Sequence, residues 1–408
     1  MEFGPLILFV LVSVAAVGHL GLWIWLYNRI NATGLRRVTI KRIEKLLVLA
    51  CGIIPITILA SEFRSIWLLF EGNKVTLQPY SLAVVYLIVV VLFAILFTPF
   101  WILDRPQFAI AENRFELLEC DDLKQLQHPQ TNADLYVQGS RFRKMARLPG
   151  NQIVSMQRNR KRLYIEDLPD ELKGLRIAHL SDIHLTGQLS NSFYRLAIDW
   201  LSEQSPDLIV IAGDIVDYQS ALKQLKPVLE GFRAPLGMAF ILGNHDKRLA
   251  DPLDVCRELC ALGWTDLGQS AMHVEKNGTT IELIGNELPW FQRYPDETIL
   301  EENRSTKSPW RLGVAHTPDQ FGWGVANRCN LLLCGHTHGG QIRLPVVGPI
   351  IAPSWYGSRY ASGVFAKSST LMHVSRGLSG VHPFRWGCLP EVSILELAAT
   401  KRKPCLGG

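Results

Sequence analysis

The sequence predicts an α/β domain, its strands in a mixed or two-sheet arrangement, carried behind N-terminal transmembrane helices. Three observations predict it. Uncharged apolar runs long enough to cross a bilayer fall before residue 104, short apolar strands alternate with helix-length segments after Gly174, and five of those strands end in Asp, Asn or His. At 408 residues the chain accommodates one large domain plus an appendage, and 48% hydrophobic residues is high for a soluble enzyme. A formal charge of +5 is small for this length, so no nucleic-acid partner is expected.

The anchor comes first, over residues 1–104. Pro5 to Tyr27 and Tyr80 to Leu103 contain no charged residue, and each exceeds the roughly 20 residues that a membrane-spanning helix needs. Helices are therefore expected over 5–27 and 80–103, with Trp23, Trp25, Tyr27, Tyr80 and Trp101 as interfacial anchors. The first run is read as retained rather than cleaved, because only Glu2, and no basic residue, precedes it. Leu46 to Ser61 is shorter and contains Pro55, so it either spans or is re-entrant. Arg29, Arg36, Arg37, Lys41, Arg42 and Lys45 crowd the segment after the first run and mark it as cytoplasmic. With three spans the rest of the chain is cytoplasmic; with two it faces outward. Three are expected, because the run over 46–61 is nearly long enough and the eight scattered cysteines read as reduced.

Residues 105–170 read as a connector with an edge strand. Its basic stretch, Arg158, Arg160, Lys161 and Arg162, is either a solvated face or a surface for anionic headgroups. The main domain is expected over 171–396 and a tail over 397–408. Cys405-Leu406-Gly407-Gly408 is not read as a prenylation signal, since a terminal glycine is atypical. Strands are predicted at Leu175–Leu180, Leu208–Ala212, Met238–Leu242, Thr280–Gly285, Leu312–Ala315 and Leu331–Cys334. Helices are predicted near Ser192–Glu203 and Ala221–Gly231. This rhythm puts ligand-binding loops at the carboxyl ends of the strands.

Those ends carry Ser181-Asp182-Ile183-His184, Gly213-Asp214-Ile215-Val216-Asp217, Gly243-Asn244-His245-Asp246, His316-Thr317-Pro318-Asp319 and Gly335-His336-Thr337-His338-Gly339-Gly340. A single Gly-Asp or Gly-Asn after a strand is ordinarily a turn. Five in succession, holding five of the eleven histidines, point instead to a metal site built from distant sequence. Carboxylates, imidazoles and an amide oxygen without thiolate suit manganese, iron or zinc. The ligands are too many for one ion and suit two, about 3.5–4 Å apart and joined by one carboxylate.

The ordered set, over roughly 174 to 396, resembles the calcineurin-like metallophosphoesterase superfamily. Within it the chain is most similar to the membrane-associated YkuE- and YaeI-type phosphodiesterases. The grounds are Gly174-Leu175-Arg176-Ile177, the His316-Thr317-Pro318-Asp319 block, and Ser375-Arg376-Gly377-Leu378 followed by Pro383 and Pro390-Glu391. The resemblance implies a two-sheet αββα sandwich and hydrolysis of a phosphodiester or pyrophosphate by a metal-activated hydroxide. It assigns Asp182, His184 and His338 to one metal, Asn244, His316 and His336 to a second, and Asp214 to a bridge between them; manganese is the expected metal. It makes His245 the residue that contacts the phosphate and protonates the leaving oxygen, with Asp246 orienting it. His179 is read as a packed or supporting histidine, and His273, His373 and His382 as surface or core residues.

Asp217 is followed by Tyr218-Gln219 where the protein phosphatases continue into Arg-Gly, which counts against a phosphoprotein substrate. The anchor favours a lipid-linked phosphate or diphosphate such as UDP-2,3-diacylglucosamine. Trp290-Phe291, Trp355-Tyr356, Phe384 and Trp386 are candidates either for an acyl-chain surface or for the core. The alternatives are a general phosphodiesterase or phosphomonoesterase on a soluble substrate, and a catalytically silent membrane scaffold.

Overall fold

A computed structural model describes residues 5–64, 67, 71, 81–123, 133–293, 309–380 and 382–400. Tyr80, Cys405 and the rest of the tail beyond Thr400 lie outside the described residues. The chain divides into two units, 1–108 and 109–408.

The first unit contains α1 (Pro5–Asn31), α2 (Arg37–Ser61) and α3 (Leu82–Leu103). All three are long and apolar enough to cross a membrane. The middle element is nine residues longer than the uncharged run that predicted it, because the basic segment from Arg37 to Lys45 is itself helical, and Pro55 lies inside a continuous helix. The Ser81 side chain accepts the Val84 N–H and fixes the start of α3. His19, the one histidine in the predicted spans, ties the three helices together: Nδ1 lies 2.7 Å from the Tyr86 hydroxyl and Nε2 3.0 Å from the Cys51 carbonyl.

The second unit is built on two sheets. The larger runs in the order β1 (Phe115–Asp122), β2 (Gln157–Ile165), β15 (Glu391–Ala399), β3 (Arg176–Leu180), β4 (Leu208–Ala212), β5 (Met238–Ile241), β6 (Thr265–Asp266). The second runs β13 (Gly363–Lys367), β14 (Thr370–Val374), β10 (Leu331–Cys334), β9 (Trp310–Ala315), β8 (Thr279–Asn286), β7 (Met272–Lys276). A hairpin, β11 (Arg343–Leu344) with β12 (Gly348–Pro349), stands apart. Strands β3 to β6 are mutually parallel, as are β8, β9, β10 and β14. All their carboxyl ends therefore gather along one edge of the sandwich.

Alternation explains why the motif-bearing strands are apolar throughout. In β4, Leu208, Val210 and Ala212 pack between the sheets, with Leu283, Leu312 and Leu333. Ile209 and Ile211 face the opposite side, with Phe193, Ala197 and Leu201 of a helix over Asn191–Glu203. That helix buries Phe193, Tyr194, Ala197, Ile198, Trp200 and Leu201, the spacing of one helical face. The second predicted helix is reduced to a 3-10 turn over Gln219–Gln224 and one turn of α-helix over Leu225–Leu229. Pro227, which cannot donate to a preceding carbonyl, and Gly231 limit it.

Residues 105–170 are more than a connector. They supply both β1, the sheet edge, and β2, which lies inside it between β1 and β15. The basic stretch is on β2 and its charges are answered across the strand: Arg158 by Asp121, Arg160 by Glu119, Lys161 by Glu391, and Arg162 by Glu116 and Glu396. Cross-strand pairing, not a headgroup surface, accounts for it. No disulfide occurs among the described residues, whose seven cysteines are free.

Candidate metal centre

The five motifs turn sharply where the strands end, and the backbone shows what this requires. Asp182, His184, Asp214, His336 and His338 all have positive φ, between 49° and 70°. Such a conformation costs a non-glycine residue roughly 1–3 kcal/mol, and it clusters where side chains must be aimed. The glycines next to them permit close approach. A Cβ on Gly243 would fall 2.3 Å from Asp214 Oδ1, and one on Gly335 would fall 2.5 Å from Asp182 Oδ2.

The side chains converge. His184 Nε2 lies 3.1 Å from His338 Nε2, 3.7 Å from Asp214 Oδ2 and 3.9 Å from Asp182 Oδ1, while His338 Nε2 lies 3.4 Å from Asp182 Oδ1. On the other side His316 Nε2 is 3.3 Å from Asp214 Oδ2 and 3.2 Å from Asn244 Oδ1. Among the described residues, potential metal-binding atoms fall into three groups: Asp182, His184, Asp214 and His338; Asp214, His316 and His336, which shares Asp214 with the first; and His184, Asp217 and His245, in which Asp217 is already hydrogen-bonded to both rings. Atoms about 2.1 Å from a common ion are themselves about 3.0–3.4 Å apart in tetrahedral or octahedral geometry, close to these separations.

Hydrogen bonding sets the rings for this purpose. The Nδ1 of His184 pairs with Asp217 Oδ2 at 2.8 Å and that of His316 donates to the Ala212 carbonyl at 2.7 Å, which leaves each Nε2 with its lone pair turned inward. Asp214 Oδ2 and His336 Nε2 are buried with no hydrogen-bond partner. Two buried acceptors left unpaired beside further inward-facing lone pairs are costly unless a cation joins them, so the donor set fits divalent ions.

The remaining residues complete the wall. Burial outweighs the nearby Asp214 and Asp217 and lowers the His245 imidazole to about 4, so it is neutral at neutral pH. Its Nδ1 pairs with Asp217 Oδ1, and Arg248, also on Asp217 at 2.8 Å, approaches its Nε2 at 2.5 Å. The sequence assigned the orienting role to Asp246, but that carboxylate accepts the N–H groups of Ile215, Val216 and Gly243 and braces two motif loops instead. Asp217 makes the contact expected of it.

Asp217, Arg248, Trp290 and Arg385 were absent from the sequence-derived site. Asp217 was signalled by its place three residues after Asp214, and Arg248 by its place three after His245. Trp290 is not an acyl-chain surface: it is buried, 4.7 Å from the His336 ring and 5.3 Å from that of His316. Arg385 is fully buried, donates to the Arg376 carbonyl at 2.8 Å and to the Ser379 carbonyl, and lies 3.3 Å from His338 Nδ1. Nothing in its local sequence announced it.

Two donor groups joined by one carboxylate, at the carboxyl ends of parallel strands, are the arrangement of a dinuclear metallohydrolase. A family model described as calcineurin-like phosphoesterase matches residues 175–340. The metallophosphoesterase YkuE of Bacillus subtilis is 31% identical over 238 residues, which cover 57% of this chain and 82% of that protein. Phosphodiesterase YaeI of Escherichia coli is 32% identical over 236 residues, 56% of this chain and 84% of its own. The UDP-2,3-diacylglucosamine pyrophosphatase LpxG of Chlamydia trachomatis is 24% identical over 279 residues, 55% of this chain and 84% of its own. The chain belongs to the calcineurin-like metallophosphoesterase family and is a metal-dependent phosphoester hydrolase.

Proposed function

We propose that this chain hydrolyses a phosphodiester or pyrophosphate bond in a lipid-linked substrate, with manganese as the working metal and the site on the cytoplasmic face of a membrane. The observation that carries the reaction class is the pair of donor groups sharing Asp214. Asp182, His184 and His338 would hold one ion, and Asn244, His316 and His336 the other. The full negative charge of Asp214 suits the position between them. When bound, such a pair supplies Lewis acidity for the phosphoryl oxygens and hydroxide near neutral pH. His245, held through Nδ1 by Asp217, is neutral and carries no proton on Nε2; once Nε2 takes a proton from water, the imidazolium that Asp217 stabilises can hand that proton to the leaving oxygen. Arg248, beside it, offers a cation for the phosphate that does not depend on the missing Arg-Gly motif.

The lipid part of the proposal draws on three helices of membrane-spanning length and on the likeness to a pyrophosphatase named for a diacylglucosamine substrate. The cytoplasmic side is supported by the cations at the end of α1 and over the first turns of α2, with Arg36 between them, taken with three spans. The test is a screen of the purified full chain against lipid and nucleotide diphosphates, with manganese, iron and zinc in turn. Turnover of a lipid diphosphate is the expected result. Hydrolysis of bis-p-nitrophenyl phosphate with manganese, with every lipid diphosphate left intact, would overturn the lipid assignment and leave the reaction class standing.

A further inference from the structure

The hairpin that leaves the metal centre is patterned inside out. It starts at Gln341, three residues after His338, and runs through β11 and β12. On a water-facing hairpin the apolar residues turn inward and the cation outward. Here Ile342, Leu344 and Val346, each two residues from the last, are exposed, Val346 to 96%, with Val347 also exposed at the tip. Arg343 points the other way, donating through Nε to the Gly339 carbonyl at 3.0 Å and through Nη2 to Ser362 Oγ at 2.8 Å. Val346 also adopts φ of 62°, a conformation that β-branched residues rarely take.

The apolar face continues onto a neighbouring segment and changes character there. The Arg343 N–H donates to the Trp386 carbonyl at 2.8 Å and the Trp386 N–H to that of Gln341 at 3.1 Å. Trp386 is partly exposed, and Gly150 sits against its ring, a Cβ there falling 3.2 Å from Cδ1. The segment leading to Gly150 is the short helix Ser140–Ala146 with Arg147 and Leu148. Over residues 140–150 it carries four cations and no acid, and Arg141, Lys144, Arg147 and Leu148 are exposed. An apolar tip beside a band of cations is complementary to the acyl boundary and the anionic headgroups of a bilayer, in that order of depth.

We infer that the hairpin 341–351 inserts its tip into the interface of an anionic membrane, with the 140–148 segment on the headgroups, and so holds the mouth of the metal centre at the lipid surface. The inference requires membrane association of the chain but not a lipid substrate, so the substrate screen and the following experiment can fail separately.

The test uses the full chain, one copy per lipid nanodisc. Cys51, Cys120, Cys260 and Cys405 are replaced by Ser, and an environment-sensitive fluorophore is attached at Val346→Cys. The control is Glu275→Cys, an exposed position near the carboxyl end of the edge strand β7, opposite Thr280 at the amino-terminal end of β8 and so away from the metal centre. In phosphatidylglycerol-rich discs the label on residue 346 should emit to the blue of the control. Doxyl-labelled lipid should quench it roughly threefold or more strongly, and discs of phosphatidylcholine alone should give weaker quenching. Leu344→Cys, lower on the same face, should be quenched to an intermediate degree. Quenching no greater than the control, or a blue shift without lipid quenching, as when a second protein surface covers the tip, would overturn the inference.

Discussion

Two buried polar clusters lie in the catalytic unit, and they are built on opposite plans. One is the metal centre. The other joins the two sheets: Lys161 of β2 pairs with Glu391 of β15 and sits 3.0 Å from His373 of β14, whose Nδ1 is 2.8 Å from that of His179 on β3. Glu391 also receives Arg376 at 2.5 Å and the Ser393 hydroxyl at 2.8 Å. In this second cluster each charge is answered by a side chain of the protein. In the metal centre, among the described residues, no Lys or Arg pairs with Asp182 or Asp214; only histidine rings approach them, and Asp214 Oδ2 and His336 Nε2 have no hydrogen-bond partner. Burial is the same in both, so burial alone does not mark a functional site. The shortfall of positive charge does.

The comparison is broken most directly at the shared carboxylate. Asp214→Asn removes the one full negative charge common to both donor groups, so both ions should be lost together and turnover should fall below detection. Elemental analysis of the purified variant reads this, and a variant that keeps two ions per chain would show that Asp214 does not join the groups. His245→Ala should behave differently. The ions should stay while the rate on a substrate with a poor leaving group drops by about 10²–10⁴-fold. Wild-type turnover on such a substrate would remove His245 from the proton-donating role.

The self-contained cluster predicts the reverse pattern. Burial by itself would raise the Glu391 pKa, but the Arg376 guanidinium and the Lys161 ammonium outweigh it and hold the carboxyl well below the usual glutamate range. A depressed pKa in the folded state means that its stabilising contribution is complete above the unfolded value of about 4.3 and is lost as pH falls through the folded one. Glu391→Gln leaves two buried cations short of their partner and should cost about 3–5 kcal/mol. Denaturant titration reads the loss, and the acid limb of the stability profile should flatten, while metal content per folded chain stays unchanged.

How much of this was legible in the sequence differs between the clusters for a physical reason. Every expected metal ligand lies within four residues of a strand end, and strand, turn and ligand type are all local signals, so Asp182, His184, Asp214, Asn244, His316, His336 and His338 could be picked out together. The partners that neutralise or aim them come from elsewhere in the chain. Lys161 reaches Glu391 across 230 residues, and Arg385 reaches His338 across 47. Periodicity does not encode such pairings, and for the same reason β2 read as part of a connector although it lies inside the large sheet. The exchange of Asp246 for Asp217 is a local failure. Both acids follow a motif at short range, and only the turn geometry, with Asp246 folded back onto the Ile215, Val216 and Gly243 N–H groups, decides which one faces the imidazole.

Asp217 sharpens the comparison, because it is a carboxylate beside the metal centre that is satisfied as Glu391 is. It takes His184 Nδ1 at 2.8 Å, His245 Nδ1 and Arg248 at 2.8 Å, and although burial would raise its pKa, the two histidines hold it far below the usual range. On the distinction drawn here it should support ligands rather than bind an ion. Asp217→Asn keeps the shape but offers one acceptor oxygen where two rings need one each, so an amide N–H would face a ring N–H or force the other tautomer. The expected loss is about 10–100-fold in metal affinity or activity, smaller than for Asp214→Asn, with the alkaline and acid limbs of the rate profile displaced. Asp246→Asn, which weakens a brace on backbone N–H groups, should lower thermal stability and leave the profile in place. If the two variants changed places, with Asp246→Asn moving the pH profile and Asp217→Asn affecting only stability, the orienting role would return to Asp246 and Asp217 would belong with the structural cluster.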